Sequence, residues 1–103
     1  MLGYRITPEA KEDLREIARY TLDTWGKSQH ERYRNQLAEC FHRIANGEVV
    51  TRHFSDTYPD LCVVRCEHHY VFYLEKETGC SVNILAVLHE NMDCLAKLKD
   101  RLE

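Results

Sequence analysis

Residues 80–93, Cys80-Ser81-Val82-Asn83-Ile84-Leu85-Ala86-Val87-Leu88-His89-Glu90-Asn91-Met92-Asp93, decide how the chain folds. In an extended backbone Val82, Ile84, Ala86 and Leu88 share one face, Leu85 and Val87 share the other, and Asn83 is the only polar interruption. A strand that is apolar on both faces is an inner strand of a sheet. It stops at His89-Glu90-Asn91-Met92-Asp93, a polar elbow that leads into a short terminal helix. Polar side chains at the end of a buried strand are well placed to meet a partner or a substrate.

Upstream of this strand, Leu61-Cys62-Val63-Val64-Arg65-Cys66 and Tyr70-Val71-Phe72-Tyr73-Leu74-Glu75 are rich in β-branched and aromatic residues and read as two strands joined by Glu67-His68-His69. A turn at Lys76-Glu77-Thr78-Gly79 carries the second of them into the organising strand, so the three form an antiparallel meander. The stretch from Glu48 to Pro59 reads as irregular.

The first half of the chain is helical. Leu2 to Ile6 is a short candidate strand, after which Thr7 reads as a cap, Pro8 as the first helical residue and Glu9 as an acid in the first turn. Ala10, Leu14, Ile17, Ala18, Thr21, Leu22 and Trp25 then recur at the helical period as one apolar stripe, and Gly26 ends the helix. A second helix runs from near Ser28 to Asn46-Gly47, with Tyr33, Leu37, Cys40, Phe41, Ile44 and Ala45 on one side. With so short a link the two helices must fold back as an antiparallel hairpin and lay their stripes on the sheet. The expected architecture is α+β: an N-terminal strand, a helical hairpin packed on a small, mainly antiparallel sheet, and a short C-terminal helix over Met92 to Leu102.

With 103 residues, 44% of them hydrophobic, the chain supports one domain spanning residues 1–103. No run is long and apolar enough for a bilayer, and the N-terminus lacks the pattern of a signal peptide, so a cytoplasmic protein with no membrane partner is expected. Five cysteines, Cys40, Cys62, Cys66, Cys80 and Cys94, cannot all pair within the chain and read as reduced thiols. Cys62, Cys66, His68 and His69 depart from the usual knuckle spacing, so the cysteines read as small apolar strand residues rather than ligands of a zinc site, and no metal or cofactor is expected. A net charge of -3, from 14 basic and 17 acidic residues that interleave along the helices, argues against strong direct binding to nucleic acid.

The order of these elements carries a resemblance. Tyr4-Arg5-Ile6-Thr7-Pro8-Glu9-Ala10 with Asp13-Leu14 and Ile17, the strand pair around Val64-Arg65 and Tyr70 to Tyr73, and Ile84 to His89 followed by Met92-Asp93 resemble the ParE branch of the ParE/RelE toxin superfamily over almost the full chain. The resemblance implies the toxin of a bacterial type II toxin-antitoxin pair, held inactive by a cognate antitoxin that wraps it, the two joining in a higher-order toxin-antitoxin hetero-oligomer. ParE-like members act on DNA gyrase and block replication, whereas RelE-like members cut messenger RNA on the ribosome. Both branches share the scaffold, so the fold does not choose between them.

Charge favours the first branch. A ribonuclease of this superfamily grips RNA with clustered Lys and Arg plus a terminal acid or base. Here the strands offer Arg65, with His89 at the elbow and Arg52 and His53 before them, and no lysine lies between Ala45 and Lys76. The expected function is therefore a non-enzymatic gyrase inhibitor, with Arg65 and His89 the catalytic residues under the ribonuclease alternative and a non-toxic binding module as a third class. Candidate partner contacts are His89, Glu90, Asn91, Met92, Asp93, Leu95 and Leu98. ParE-like sequences commonly carry a basic residue between the elbow histidine and aspartate, where this chain has Glu90, Asn91 and Met92. Against these roles stand structural readings: His89 as a strand terminator, Arg65 paired with Glu67 or Glu75, and Trp25, Tyr33, Tyr70 and Tyr73 as core.

Overall fold

A computed structural model describes residues 3–49, 52–75 and 81–102. The elements run β1 (Gly3–Ile6), α1 (Pro8–Trp25), α2 (Lys27–Ala45), β2 (Arg52–Ser55), β3 (Tyr58–Cys66), β4 (His69–Glu75), β5 (Ser81–His89) and α3 (Cys94–Leu102). The strands form one sheet in the order β1-β5-β4-β3-β2, with β1 parallel to β5 and every other neighbour antiparallel. The organising strand is indeed an inner one. Leu2, Cys80 and the expected turn at Lys76 to Gly79 lie outside the described residues.

Both helix signals at the start of α1 act as expected. The Thr7 hydroxyl accepts the Ala10 amide at 3.2 Å and Pro8 occupies the first turn. Gly26 alone joins α1 to α2, with φ +89° and ψ 176°, a backbone region open essentially to glycine. The hairpin covers one face of the sheet: Ala10, Leu37, Phe41 and Ile44 pack with Val71, Tyr73, Val82, Ile84 and Val87. On the opposite face Leu98 of α3 packs with Leu61, Phe72, Ala86 and Leu88. The sheet is thus the middle of three layers.

Three expectations need correction. First, the alternation along β5 is broken, because Phe72 pairs with Ala86 while Tyr73 pairs with Ile84, which leaves Leu85 as an extra residue. The bulge turns Val87 to the hairpin face with Val82 and Ile84, and leaves Ala86 and Leu88 on the α3 face with Leu85 beside them. Second, the stretch from Glu48 to Pro59 is not irregular throughout: Arg52–Ser55 forms β2 and β3 begins at Tyr58. Phe54 anchors the hairpin on Phe72 with ring centroids 4.9 Å apart, and Pro59 falls where the register slips from His53↔Cys62 to Ser55↔Tyr58, a place where a missing amide does no harm. Third, Leu22 and Trp25 are not core. Residues 22–29 are all exposed, while the buried residues of α2 start only at Leu37, so the tip of the hairpin projects past the core. Of the tyrosines, only Tyr73 is fully buried.

β1 stops at Ile6 opposite Ile84, which among the described residues leaves the rest of β5 without a strand on that side. Side chains seal it instead. The Val87 amide donates to Asp13 Oδ2 at 3.0 Å, and the Leu85 carbonyl accepts from Arg101 at 3.1 Å and from the Thr7 hydroxyl at 3.4 Å. Unpaired strand edges otherwise recruit other chains.

Candidate partner-binding groove

The end of β5 that carries the elbow faces the projecting hairpin, and between them lies a cleft of about 870 Å³. Asp13, Glu16, Ile17, Tyr20, Thr21 and Trp25 line it from α1, Gln29 and Tyr33 from α2, and His68, His69, Val87, Leu88, His89, Glu90, Asn91 and Met92 from the sheet and its elbow. An apolar cavity of about 370 Å³ between the two helices shares Ile17, Thr21 and Tyr33 with it. The aromatic wall is open to solvent: Tyr20 is 65% exposed, Trp25 66% and Met92 43%. Large apolar side chains gathered in one concave surface mark a place where another molecule docks.

The polar end of the cleft is built by β3, β4 and β5 together. The Tyr33 hydroxyl is hydrogen-bonded to His69 Nδ1, joining α2 to β4. His69 pairs with His89 across the β4–β5 ladder, and their rings meet edge to face at 5.2 Å. Burial, then the neighbouring His89 and His68, push the His69 imidazole down to about 4, so it is neutral at physiological pH. Burial pushes the Tyr33 phenol up to about 12, so it keeps its proton. The elbow is folded on its own backbone: Glu90 N–H donates to the His68 carbonyl at 3.0 Å, Asn91 N–H to His89 Nδ1 at 3.1 Å and Met92 N–H to the His89 carbonyl at 3.0 Å.

The structure brings together some of the residues expected to act and separates others. His89, Glu90, Asn91 and Met92 line the cleft. Asp93 instead caps α3, its carboxylate accepting the Ala96 amide at 3.2 Å. Leu95 is half exposed on α3 and does not line the cleft. Leu98, expected at a partner surface, is fully buried against Leu61, Phe72 and Leu88, because the 3.6-residue period turns it onto the sheet. Arg65 is held by Glu90 rather than by the Glu67 carboxylate expected for it, and the Glu75 side chain lies outside the described residues: the Arg65 Nε donates to the Glu67 carbonyl at 3.1 Å, and its guanidinium binds the Glu90 carboxylate, which also lies 3.5 Å from His68 Nδ1. Tyr20, Trp25, Tyr33 and His69 were missed as groove residues. Periodicity cannot tell a stripe that meets the sheet from one that overshoots it, and nothing local couples position 33 to position 69.

The arrangement supplies an apolar cleft with a hydrogen-bonded polar end, and Arg65, the cation beside the elbow, is already held by an acid. Such a surface suits a protein segment. Residues 4–94 match the family model described as ParE toxin of type II toxin-antitoxin system, parDE. The chain is 44% identical to Toxin ParE of Escherichia coli over 103 residues, covering all of this chain and 99% of that one. It is 33% identical to Toxin ParE1 of Caulobacter vibrioides over 104 residues, covering 95% and 99%. Among solved structures, a chain of the chromosomal ParDE toxin-antitoxin system from P. aeruginosa has the same fold, with a TM-score of 0.71 at 16% identity over 86% of this chain and 96% of that one. The chain belongs to the ParE toxin family of type II toxin-antitoxin systems.

Proposed function

We propose that the chain inhibits growth in the bacterial cytoplasm by binding DNA gyrase, without chemistry of its own, and that a cognate antitoxin neutralises it by filling the groove between α1 and the β5 elbow. The observation that carries this reading is the groove itself: Tyr20, Trp25 and Met92 stand exposed around one cleft that also contains the elbow. Aromatic anchors around a concave surface are the usual energetic centre of a protein interface. An amphipathic or flexible antitoxin segment lying there would bury all three.

Charge supports binding over cutting. The chain carries a net charge of -3, and the Arg65 guanidinium that a ribonuclease would aim at a phosphate is bound to Glu90. One observation favours the second reading, a ribosome-dependent ribonuclease using Arg65 and His89: the linked Tyr33, His69 and His89 place proton-carrying groups side by side.

Expression of the chain alone and together with the product of the adjacent reading frame tests the proposal. Growth arrest relieved by the second protein is expected, and Tyr20→Ala with Trp25→Ala should weaken the relief. Unaffected growth in both cases would overturn it.

A further inference from the structure

Arg65 and Tyr70 are partners across the β3–β4 ladder, so both project from the same side of the sheet, and the guanidinium carbon of Arg65 stands 6.0 Å from the centre of the Tyr70 ring. Beside them the turn Glu67-His68 joins the strands, with Glu67 at φ +57°, a left-handed conformation that a residue with a side chain seldom takes. The turn presents the Glu67 carbonyl to Arg65 Nε at 3.1 Å and leaves the His68 side chain 70% exposed at the rim. A cation that can grip a phosphate, an aromatic face that can stack a base and a polar ring beside them are the elements with which proteins hold single-stranded nucleic acid. Glu90 sits among them. Its backbone amide donates to the His68 carbonyl at 3.0 Å, which continues the β4–β5 ladder past His89 and fixes where the side chain emerges. One carboxylate oxygen then takes the Arg65 guanidinium, and the other lies 3.5 Å from His68 Nδ1.

We propose that Glu90 is a specificity-determining residue that masks a single-stranded RNA site made by Arg65, Tyr70 and His68. An ion pair whose side chains are 57% and 29% exposed adds little to stability, so folding does not account for the acid at this position. Its effect on an incoming anion is larger. A phosphate approaching Arg65 has to displace a carboxylate that is tethered through its own backbone, and then lies beside the negative charge it displaced. A protein segment lying against Tyr20, Trp25 and Met92 need not displace it. Glu90 thus biases the elbow toward protein and away from nucleic acid, which deepens the protein-binding reading above and rests on it.

Full-length native chain and its Glu90→Ala, Glu90→Gln and Glu90→Ala/Arg65→Ala variants are titrated against a short fluorescein-labelled single-stranded RNA at low salt, with anisotropy as the readout. Glu90→Ala should tighten RNA binding about tenfold or more over the native chain, with a steeper loss of affinity as salt rises. Glu90→Gln removes the charge and keeps the shape; it should move in the same direction, and it decides the matter should the alanine variant not fold. Adding Arg65→Ala should return the affinity to the native level, and adding Tyr70→Leu should weaken it in part. Glu12→Gln takes the same charge from another acid that holds an arginine, Arg15 at 2.8 Å, and should leave RNA binding unchanged. No gain in either Glu90 variant, a gain undiminished by Arg65→Ala or by Tyr70→Leu, or an equal gain from Glu12→Gln would overturn the proposal. RNA affinity is read without gyrase or antitoxin, so a chain that leaves gyrase untouched sinks the function proposed above while the affinity of the Glu90 variants still decides the mask.

Discussion

Arg101, near the C-terminal end of α3, grips Asp13 of α1 with two parallel hydrogen bonds of 2.7 Å each, around the edge of β5 that β1 leaves uncovered. The two side chains are only 18% and 9% exposed. Between them they also satisfy the Leu85 carbonyl and the Val87 amide, the groups that flank the bulge. One ion pair therefore locks the outer layers to each other and holds the strand whose end forms the elbow.

Truncating either partner leaves a mostly buried charge unpaired, so Arg101→Met or Asp13→Ala should each cost about 3 kcal/mol or more. The double variant should cost clearly less than the sum of the two. Urea unfolding of all four chains measures the coupling, and additive losses would show that the pair does not act as a unit.

His69 makes stability depend on pH in a defined direction. Its folded pKa of about 4 lies below the ordinary 6.5, so its contribution is fully present above pH 6.5 and is lost as the pH falls toward 4. Because the imidazole is only half-buried, solvent screening holds the loss to on the order of 1 to 2 kcal/mol. His69→Asn keeps an acceptor for Tyr33 but cannot titrate there. The wild type should lose more stability than this variant between about pH 7 and pH 4.5, and parallel urea midpoints across that range would contradict the assignment.

Trp25 is the only tryptophan and reports directly on the groove. Its fluorescence should be that of a solvated indole in the free chain and should shift to the blue when the antitoxin binds. Trp25→Ala should change stability by no more than about 0.5 kcal/mol while weakening antitoxin binding about tenfold or more. Unchanged emission in the complex would place the antitoxin elsewhere.

Along α3, two leucines a few residues apart separate core from surface. Leu98→Ala should destabilise the chain by about 2 to 5 kcal/mol, since Leu98 is fully buried. Leu95→Ala, at a position 50% exposed, should stay within about 0.5 kcal/mol of the wild type in thermal or urea unfolding.

Much of the fold was legible in the chain because local signals agreed with the global packing. Thr7-Pro8 marked a helix start, Gly26 a reversal, and the apolar run from Val82 to Leu88 an inner strand. What escaped depends on contacts distant in sequence. The bulge at Leu85 is stabilised by Asp13 and Arg101, and Arg101 sits in a run of charges that reads as a solvated helix face. β2 is short and polar, and Phe54 is its one clear anchor. At the site, the elbow was found from the abrupt end of the strand. Its opposite wall was not, because Leu22 and Trp25 continue the helical stripe with no local mark of where the sheet ends beneath them.

Gyrase supercoiling with purified protein, run beside a translating-ribosome assay on the same preparation, tests the central claim most directly. The account predicts that the chain blocks supercoiling, that the antitoxin restores it, and that messenger RNA stays intact. Cut message with supercoiling unaffected, abolished by Arg65→Ala or His89→Ala, would contradict it.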